Sequence, residues 1–270
     1  MTLFDAHCHL QDPRIQPQLA DVLAKCRTQN ISGWMVNSTR ESDWAAVHDL
    51  ATKHPGVNVS YGLHPWWQNE RSPDWSRNLE KLLQSDPSAA IGETGLDRWK
   101  PGFNLPDQIE VLEIHLDLAR QFSRPLSLHC LKAWPELKSV LQRVGPLSSG
   151  FLLHSYASPP ELTDFWIQKG AYFSFSPYFL HPRKAAQRAA FLTLPLERIL
   201  VETDAPDMAP PHELSLGKLA SPPGEPLNHP VNLRLCLKAL AEDRRLSEAV
   251  LAEVLLQNTR SFFGPTLRFV

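Results

Sequence analysis

The stretch Leu3-Phe4-Asp5-Ala6-His7-Cys8-His9 begins with apolar residues and ends with two histidines. A short apolar run of this kind is typical of a buried β-strand, and its ionisable end indicates a polar cavity where the strand stops. Seven further runs of the same character follow along the chain. Together they predict eight strands, at residues 3–7, 33–38, 57–62, 89–93, 125–129, 151–154, 171–175 and 199–203.

Segments with helical periodicity lie between these runs. In residues 105–122, apolar side chains recur at three- and four-residue steps from Ile109 to Ala119, which gives one apolar face to pack on a sheet. Similar patterns predict helices at 17–28, 44–53, 75–83, 135–143, 160–169, 183–192 and 231–241, and a last one at 247–262 with Ser247 as its N-cap. Eight alternations of strand and helix predict an α/β protein with a closed (β/α)₈ TIM barrel. An open doubly wound sheet is disfavoured because no Gly-x-Gly-x-x-Gly follows the first strand.

Length and composition agree with a single barrel domain spanning residues 1–270. The 270 residues are close to the roughly 250 of a complete barrel, and 43% hydrophobic and 21% charged residues are ordinary for a globular protein. No segment approaches the ~20 apolar residues of a membrane span, and no leader pattern precedes the first strand, so we expect a cytoplasmic protein without a membrane partner. No obligate protein partner is evident. Four widely spaced cysteines predict neither a thiolate zinc site nor disulfides.

The net charge of −2 argues against a protein that coats nucleic acid passively, because such proteins need basic patches to neutralise phosphates. A phosphate-handling enzyme stays possible, since bound cations supply positive charge that the sequence does not count. Residues 206–230 hold seven of the 24 prolines and little periodicity. They predict a long ordered loop at the active-site rim, with a surface excursion of no role as the alternative.

Ionisable residues stand at the ends of five predicted strands, where barrel side chains converge on one cavity. They are His7, His9, Glu93, His129, His154 and Asp204. The His-x-His pair places both imidazoles on one side of a strand, where they can chelate one ion. The carboxylate of Glu93 can bridge two cations ~3.5–4 Å apart, as in two-metal hydrolases. These residues therefore predict a metal centre.

Each of these residues also has an ordinary structural interpretation. Glu93 could close a strand at a simple turn, and His129 and His154 could be satisfied core histidines. Asp204 could be neutralised by a cation, and it could also orient the attacking water or accept its proton. Glu202, two residues earlier, could support a metal ligand or form a common ion pair.

The chain resembles the TatD-type metal-dependent hydrolases and deoxyribonucleases, a branch of the amidohydrolase-like barrel superfamily. Six ordered motifs with compatible spacing carry the resemblance over most of the chain. They comprise Phe4-Asp5-Ala6-His7-Cys8-His9, Gly62-Leu63-His64-Pro65, Ile91-Gly92-Glu93-Thr94-Gly95-Leu96-Asp97, Leu128-His129 with Leu153-His154-Ser155, the segment 195–206, and Asn258-Thr259-Arg260-Ser261-Phe262-Phe263.

The resemblance implies two divalent ions, with Mg²⁺ favoured over Mn²⁺ or Zn²⁺. The implied ligands are His7, His9, Glu93 and Asp204 for one ion, and Glu93, His129 and His154 for the other. It also implies a deoxyribonuclease that cleaves phosphodiester bonds at single-stranded ends through a metal-activated water, with Asp204 and Glu93 as catalytic residues and DNA as substrate. The resemblance places His64 near the substrate phosphate, with a turn histidine before Pro65 as the alternative.

The sequence departs from the family pattern after two of the histidines. Cys130-Leu131-Lys132 replaces a segment that commonly carries an Arg, so Lys132 is a candidate phosphate contact or a solvated helix-start lysine. Ser155-Tyr156-Ala157-Ser158 replaces a Cys-Phe-Ser-Gly-like run. Aromatic and basic residues that could stack on a base, or simply pack in the loops, are Trp66, Trp67, Arg98, Trp99, Tyr178 and His181.

Two other functions are compatible with the same residues. A metal-dependent amide or ester hydrolase, such as an aminoacyl-RNA deacylase, would use the same ions, and imidazole ligands accept Zn²⁺ as well as Mg²⁺. A non-catalytic barrel that keeps its metal site is the second alternative, although the full ligand set argues against it.

Overall fold

The computed structural model describes residues 1–100, 102, 104–220 and 227–270. Eight parallel strands form one sheet in the order β1 to β8, each paired with the next along the chain. Their bounds are β1 Leu3–Cys8, β2 Ile31–Asn37, β3 Val57–Tyr61, β4 Ala90–Asp97, β5 Leu126–Leu131, β6 Phe151–Leu153, β7 Ala171–Phe175 and β8 Ile199–Val201. The predicted (β/α)₈ barrel is confirmed.

Helices cover the outside of this sheet. They are α1 Leu19–Thr28, α2 Trp44–Lys53, α3 Trp75–Ser85, α4 Leu105–Phe122, α5 Trp134–Val144, α6 Thr163–Gln168, α7 Ala185–Ala190, α8 Leu233–Arg244 and α9 Glu248–Phe263. The predicted N-cap of the last helix is confirmed, because the Ser247 hydroxyl accepts a hydrogen bond from Val250 N at 3.3 Å. Within the described residues, no helix is long and apolar enough to cross a membrane.

The segment that follows β8 joins the last strand to the first. Asp204 N donates to His7 O at 2.9 Å, and His9 N donates to Ala205 O at 2.8 Å. The buried Asp5 carboxylate adds a side-chain contact by accepting from Thr203 N at 2.9 Å. The barrel therefore closes where the two histidines of β1 meet the aspartate that follows β8.

Apolar side chains from several strands meet beneath this rim. Phe4, Met35, Ala90, Leu152 and Leu200 are buried in one cluster with aromatic rings of α9. Because these strands are not all neighbours, the cluster occupies the barrel interior. It forms an apolar floor for the polar residues at the strand ends.

Several helical predictions differ from the structure in length, most clearly in two segments. Residues 160–169 begin as a 3₁₀ turn at Pro160–Leu162 before α6, and residues 183–192 contribute only six residues to α7. In both segments a proline near the start leaves a tight turn ahead of the helix. Of the predicted loop 206–230, residues 221–226 lie outside the described residues.

Candidate metal centre

The six predicted ligands lie together at the carboxyl ends of the strands. His7 lies at the end of β1, Glu93 in β4 and His129 in β5, whereas His9, His154 and Asp204 lie in the segments that follow β1, β6 and β8. All are buried or nearly so, which places their polar groups where water has little access.

Glu93 occupies the middle of this cluster. Its Oε2 lies 3.3 Å from His7 Nε2 and 3.4 Å from His9 Nε2. Its Oε1 lies 3.1 Å from His129 Nδ1 and 2.9 Å from His154 Nε2. The two oxygens of one carboxylate thus face two different pairs of imidazoles, so a cation on either side could contact Glu93.

Asp204 completes the group on the β1 side. Its Oδ1 lies 3.2 Å from His9 Nε2 and 3.6 Å from His7 Nε2. One donor atom from each of these three side chains lies within 4.8 Å of the others, which allows one cation to contact all three. Ligand atoms bonded to one ion at ~2.0–2.2 Å are separated by about 3–3.5 Å, so the spacing suits a shared cation.

The outer nitrogens of the imidazoles have partners of their own. His9 Nδ1 donates to Asn37 O at 2.8 Å, His129 Nε2 lies 2.9 Å from Asp97 Oδ2, and His7 Nδ1 lies 2.8 Å from Ser127 Oγ. Such contacts set the tautomer of each imidazole and direct the lone pair of its second nitrogen toward a metal. The cluster is therefore oriented from outside for cation binding.

Two inner nitrogens approach each other closely. His129 Nδ1 lies 3.2 Å from His154 Nε2, and both face Glu93 Oε1. Two lone pairs at this distance repel unless a proton or a cation lies between them. The donor set of this chain therefore fits a divalent ion.

The electrostatics also indicate a site for positive charge. Burial opposes ionisation of Glu93, but His64, His154 and His7 overcome it and hold the pKa of its carboxyl well below the ordinary value. Burial alone would lower the pKa of His154, yet the facing Glu93 raises it well above the usual range. Ionised carboxylates held among imidazoles are suited to neutralisation by a cation.

Glu202 supports His154 from below. Its Oε1 accepts from Ser155 N at 2.7 Å and Ser155 Oγ at 2.6 Å, and lies 3.5 Å from His154 Nδ1. Ser174 Oγ donates to its other oxygen. The carboxylate thus fixes the turn that carries His154, which agrees with the supporting role weighed from sequence.

A glycine allows β4 and β5 to approach at the centre. Gly95 has φ +148°, and a Cβ atom there would lie 1.9 Å from His129 O. Any side chain at this position would push against the backbone of a candidate ligand. The residue is therefore required both for its conformation and for its lack of a side chain.

The two residues predicted to contact substrate have different positions. His64 lies in the centre itself, with Nε2 3.5 Å from Glu93 Oε1 and its ring 4.4 Å from that of His129. Lys132 is exposed and lines a groove with Trp134 and Lys138. Among the described residues, no hydrogen bond or ion pair joins Lys132 to the six candidate ligands.

Sequence reasoning gave no role to three of the supporting residues, Asn37, Asp97 and Ser127. Asp97 stands four residues after Glu93 and Ser127 two before His129, so the strand period of two could have placed each beside a ligand. Asn37 acts through its backbone carbonyl, a group that every residue carries and that the sequence therefore cannot single out.

The fold and the donor set define a barrel of the metal-dependent hydrolase class. The family model described as TatD related DNase matches residues 4–264, and the chain belongs to this family. The metal-dependent hydrolase YcfH of Escherichia coli strain K12 is 30% identical over 216 residues, which cover 78% of this chain and 81% of YcfH.

Two further relatives extend this comparison. The 3'-5' ssDNA/RNA exonuclease TatD of Pantoea sp. strain At-9b is 28% identical over 211 residues, covering 77% of this chain and 81% of that protein. The crystal structure of YJJV, a TatD homologue from Escherichia coli K12, superposes with a TM-score of 0.86 at 26% identity and covers 96% of this chain and 97% of its own. The chain is therefore a metal-dependent hydrolase of the TatD type.

Proposed function

We propose that the protein is a deoxyribonuclease that removes nucleotides from single-stranded ends with two divalent ions, Mg²⁺ being the favoured metal. The observation that carries the proposal is the position of Glu93, whose two oxygens face two separate pairs of imidazoles. A carboxylate in this position bridges two cations in phosphodiester-cleaving sites. Relatives named as exonucleases support the choice of substrate.

The proposed ligands are His7, His9, Glu93 and Asp204 for one ion, and Glu93, His129 and His154 for the other. When bound, the ions supply Lewis acidity, which lowers the pKa of a water and offsets charge on phosphoryl oxygens.

Asp204 and His64 take the remaining roles. Asp204 is 13% exposed at its side chain and stands at the edge of the cluster, where its carboxylate can hold the attacking water and accept its proton. The pKa of His64 is lowered to about 3, chiefly by burial, so its imidazole is neutral and can donate a hydrogen bond to a phosphate oxygen. The apolar floor formed around Phe4 and Met35 limits water beneath the reacting groups.

The test is hydrolysis of an end-labelled oligothymidylate by metal-stripped protein re-supplied with Mg²⁺, Mn²⁺ or Zn²⁺. Glu93→Gln should abolish nucleotide release, whereas Glu110→Gln, the same change on the exposed face of α4, should leave it intact. Labels at the two ends, and a block at each end in turn, give the polarity of attack. Circular single strands should resist cleavage if the enzyme needs an end.

The outcome that refutes the proposal is equally concrete. If the wild-type protein with each metal leaves DNA intact but cleaves an aminoacyl ester or an amide in a Glu93-dependent way, the protein is a carbonyl hydrolase. If no substrate is cleaved with any of the three metals, the non-catalytic alternative is favoured.

A further inference from the structure

An exposed tryptophan stands beside the metal centre. Trp99 follows the end of β4 and is 52% exposed, the highest exposure of an aromatic side chain in the described part of the chain. Its ring stacks on Trp66, with centroids 6.0 Å apart and planes inclined by 30°. One broad apolar surface therefore stays open to solvent although most aromatic rings of this protein are buried.

The Trp66 ring of this pair lies beside the candidate metal centre. The Trp66 centroid lies 5.1 Å from the ring of His64 and 6.4 Å from that of His129. Trp66 N also donates to His64 Nδ1 at 3.1 Å, which fixes the two residues together. The stacked pair thus extends outward from the candidate metal ligands.

Asp97 contacts both the candidate metal ligand His129 and the backbone of Trp99. One carboxylate oxygen, Oδ2, lies 2.9 Å from His129 Nε2, and the other, Oδ1, accepts from Trp99 N at 2.6 Å. The imidazole that would bind metal and the backbone that carries the exposed ring are therefore positioned by the same group. A molecule on Trp99 would be held in a fixed relation to the metal centre.

The charge beside the pair suits a nucleic-acid strand. Lys100 Nζ lies 3.5 Å from the centroid of Trp66, so an ammonium group lies over the face of the inner ring of the stack. Arg98 is paired with Glu136 at 2.7 Å and is already neutralised. An aromatic face with an adjacent cation is the combination that binds a base and its phosphate in single-stranded recognition.

The other aromatic candidates in the rim loops have protein partners. The guanidinium of Arg40 lies 3.7 Å from the centroid of the Trp67 ring. Tyr178 contacts the guanidinium of Arg183 and stacks edge-on with His181. These contacts favour packing roles for Trp67, Tyr178 and His181, and they leave Trp99 as the ring with an open face.

We infer that Trp66 and Trp99 form a stacking subsite for a nucleobase of a single-stranded nucleic acid, with Lys100 facing the strand's phosphates. The inference rests on the proposed function and specifies how that site selects its substrate. A base inside a duplex is stacked on both faces by its neighbours, so only an unpaired base can stack on the open face of Trp99. The subsite therefore selects single strands without reading their sequence.

The test compares the affinities of protein variants for two oligonucleotides in a double-mutant-cycle design. Affinity is measured by fluorescence anisotropy of a labelled oligonucleotide in EDTA, where no turnover occurs. The proteins are wild type, Trp99→Ala, Trp99→Phe and the control Leu192→Ala, which removes another exposed apolar side chain at 47% exposure. The ligands are an oligothymidylate and an abasic strand of equal length. Circular dichroism and thermal melting verify that each variant is folded.

The subsite predicts a defined pattern. Trp99→Ala should weaken binding of the oligothymidylate by about 10-fold to 100-fold, Trp99→Phe should restore most of it, and Leu192→Ala should bind as wild type. The abasic strand should bind equally weakly to wild type and Trp99→Ala. Quenching of tryptophan fluorescence by the oligothymidylate should diminish in Trp99→Ala.

Failure of the inference is separable from failure of the proposed function. If wild type and Trp99→Ala bind the oligothymidylate equally, or if wild type does not distinguish the abasic strand, the subsite is refuted even when the enzyme cleaves DNA. If the pattern of binding appears but no metal supports cleavage, the subsite stands and the nuclease proposal falls. Absence of any oligonucleotide binding overturns the subsite.

Discussion

Replacement of Gly95 by alanine should damage the metal centre far more than the overall fold. The new Cβ would lie 1.9 Å from His129 O, whereas ordinary contacts begin near 3.4 Å, so the backbone of His129 must retreat by more than about 1 Å. A displacement of ~1 Å at a reacting centre costs on the order of 100-fold in rate. We expect Gly95→Ala to lower kcat/KM on oligothymidylate by about that factor and to weaken metal binding.

Gly145 provides a matched control for the backbone strain. Its φ of +86°, like the +148° of Gly95, lies in the range that side chains other than glycine rarely adopt, but no atom lies within 4 Å of the place that a Cβ would occupy. Strain of this kind costs ~1–3 kcal/mol, or very roughly 2–10 °C in melting temperature for a chain of this size. Overpacking at Gly95 adds ~1–3 kcal/mol. Gly145→Ala should therefore be less stable than wild type yet fully active.

The assay pairs thermal melting with steady-state hydrolysis and with metal titration of the stripped proteins. Both variants place alanine at a positive φ, but only Gly95→Ala brings a Cβ against the backbone of His129. The difference between their kcat/KM values and melting temperatures therefore reports the close approach of β4 to His129. The reasoning is refuted if Gly95→Ala keeps wild-type kcat/KM and melts no lower than Gly145→Ala.

Three further predictions concern the ligands and a buried histidine. Ser127→Ala removes the partner of His7 Nδ1 and should weaken metal binding by about 10-fold to 100-fold in calorimetric titration, unlike Ser139→Ala on the surface of α5. Divalent metal at 100 times its Kd should stabilise the protein by ~2.7 kcal/mol, or about 5–10 °C, and this shift should vanish in Glu93→Gln. Burial lowers the pKa of His115 to about 4 from 6.5, and its Nε2 accepts from Leu63 N, so the folded state holds it neutral. As pH falls from 6.5 to 4, the unfolded chain binds a proton at His115 that the folded state does not bind. The free energy of unfolding, measured in urea, should therefore drop by up to about 3 kcal/mol more in wild type than in His115→Gln. Parallel pH profiles of the two proteins would contradict this.

The strand-end residues could be predicted because the fold itself positions them. Once eight alternations indicate a barrel, the ends of parallel strands must share one rim, and His7, Glu93 and Asp204 follow from their places in the sequence. The length of β4 was less accessible, because glycine is unfavourable inside a strand and the predicted strand stops at Glu93, although β4 continues to Asp97. The glycines serve close packing against β5 and not a turn.

The contacts that orient the ligands were largely invisible in the sequence. Asn37 contributes a backbone carbonyl to His9, and its position depends on where the chain has already been placed. The open face of Trp99 was equally undetermined, since stacking and packing use the same residue type. Its exposure emerges only when the neighbouring loops are in position.

The junction between β1 and the segment after β8 carries a consequence for biosynthesis. Asp204 emerges from the ribosome almost two hundred residues after His7 and His9, yet the backbones of the two segments are hydrogen-bonded to each other at the rim. A nascent chain therefore holds an incomplete set of ligands until most of the protein has been made. A hydrolase built in this way completes its set of candidate metal ligands together with the closure of its barrel, so partial translation products lack the full metal centre.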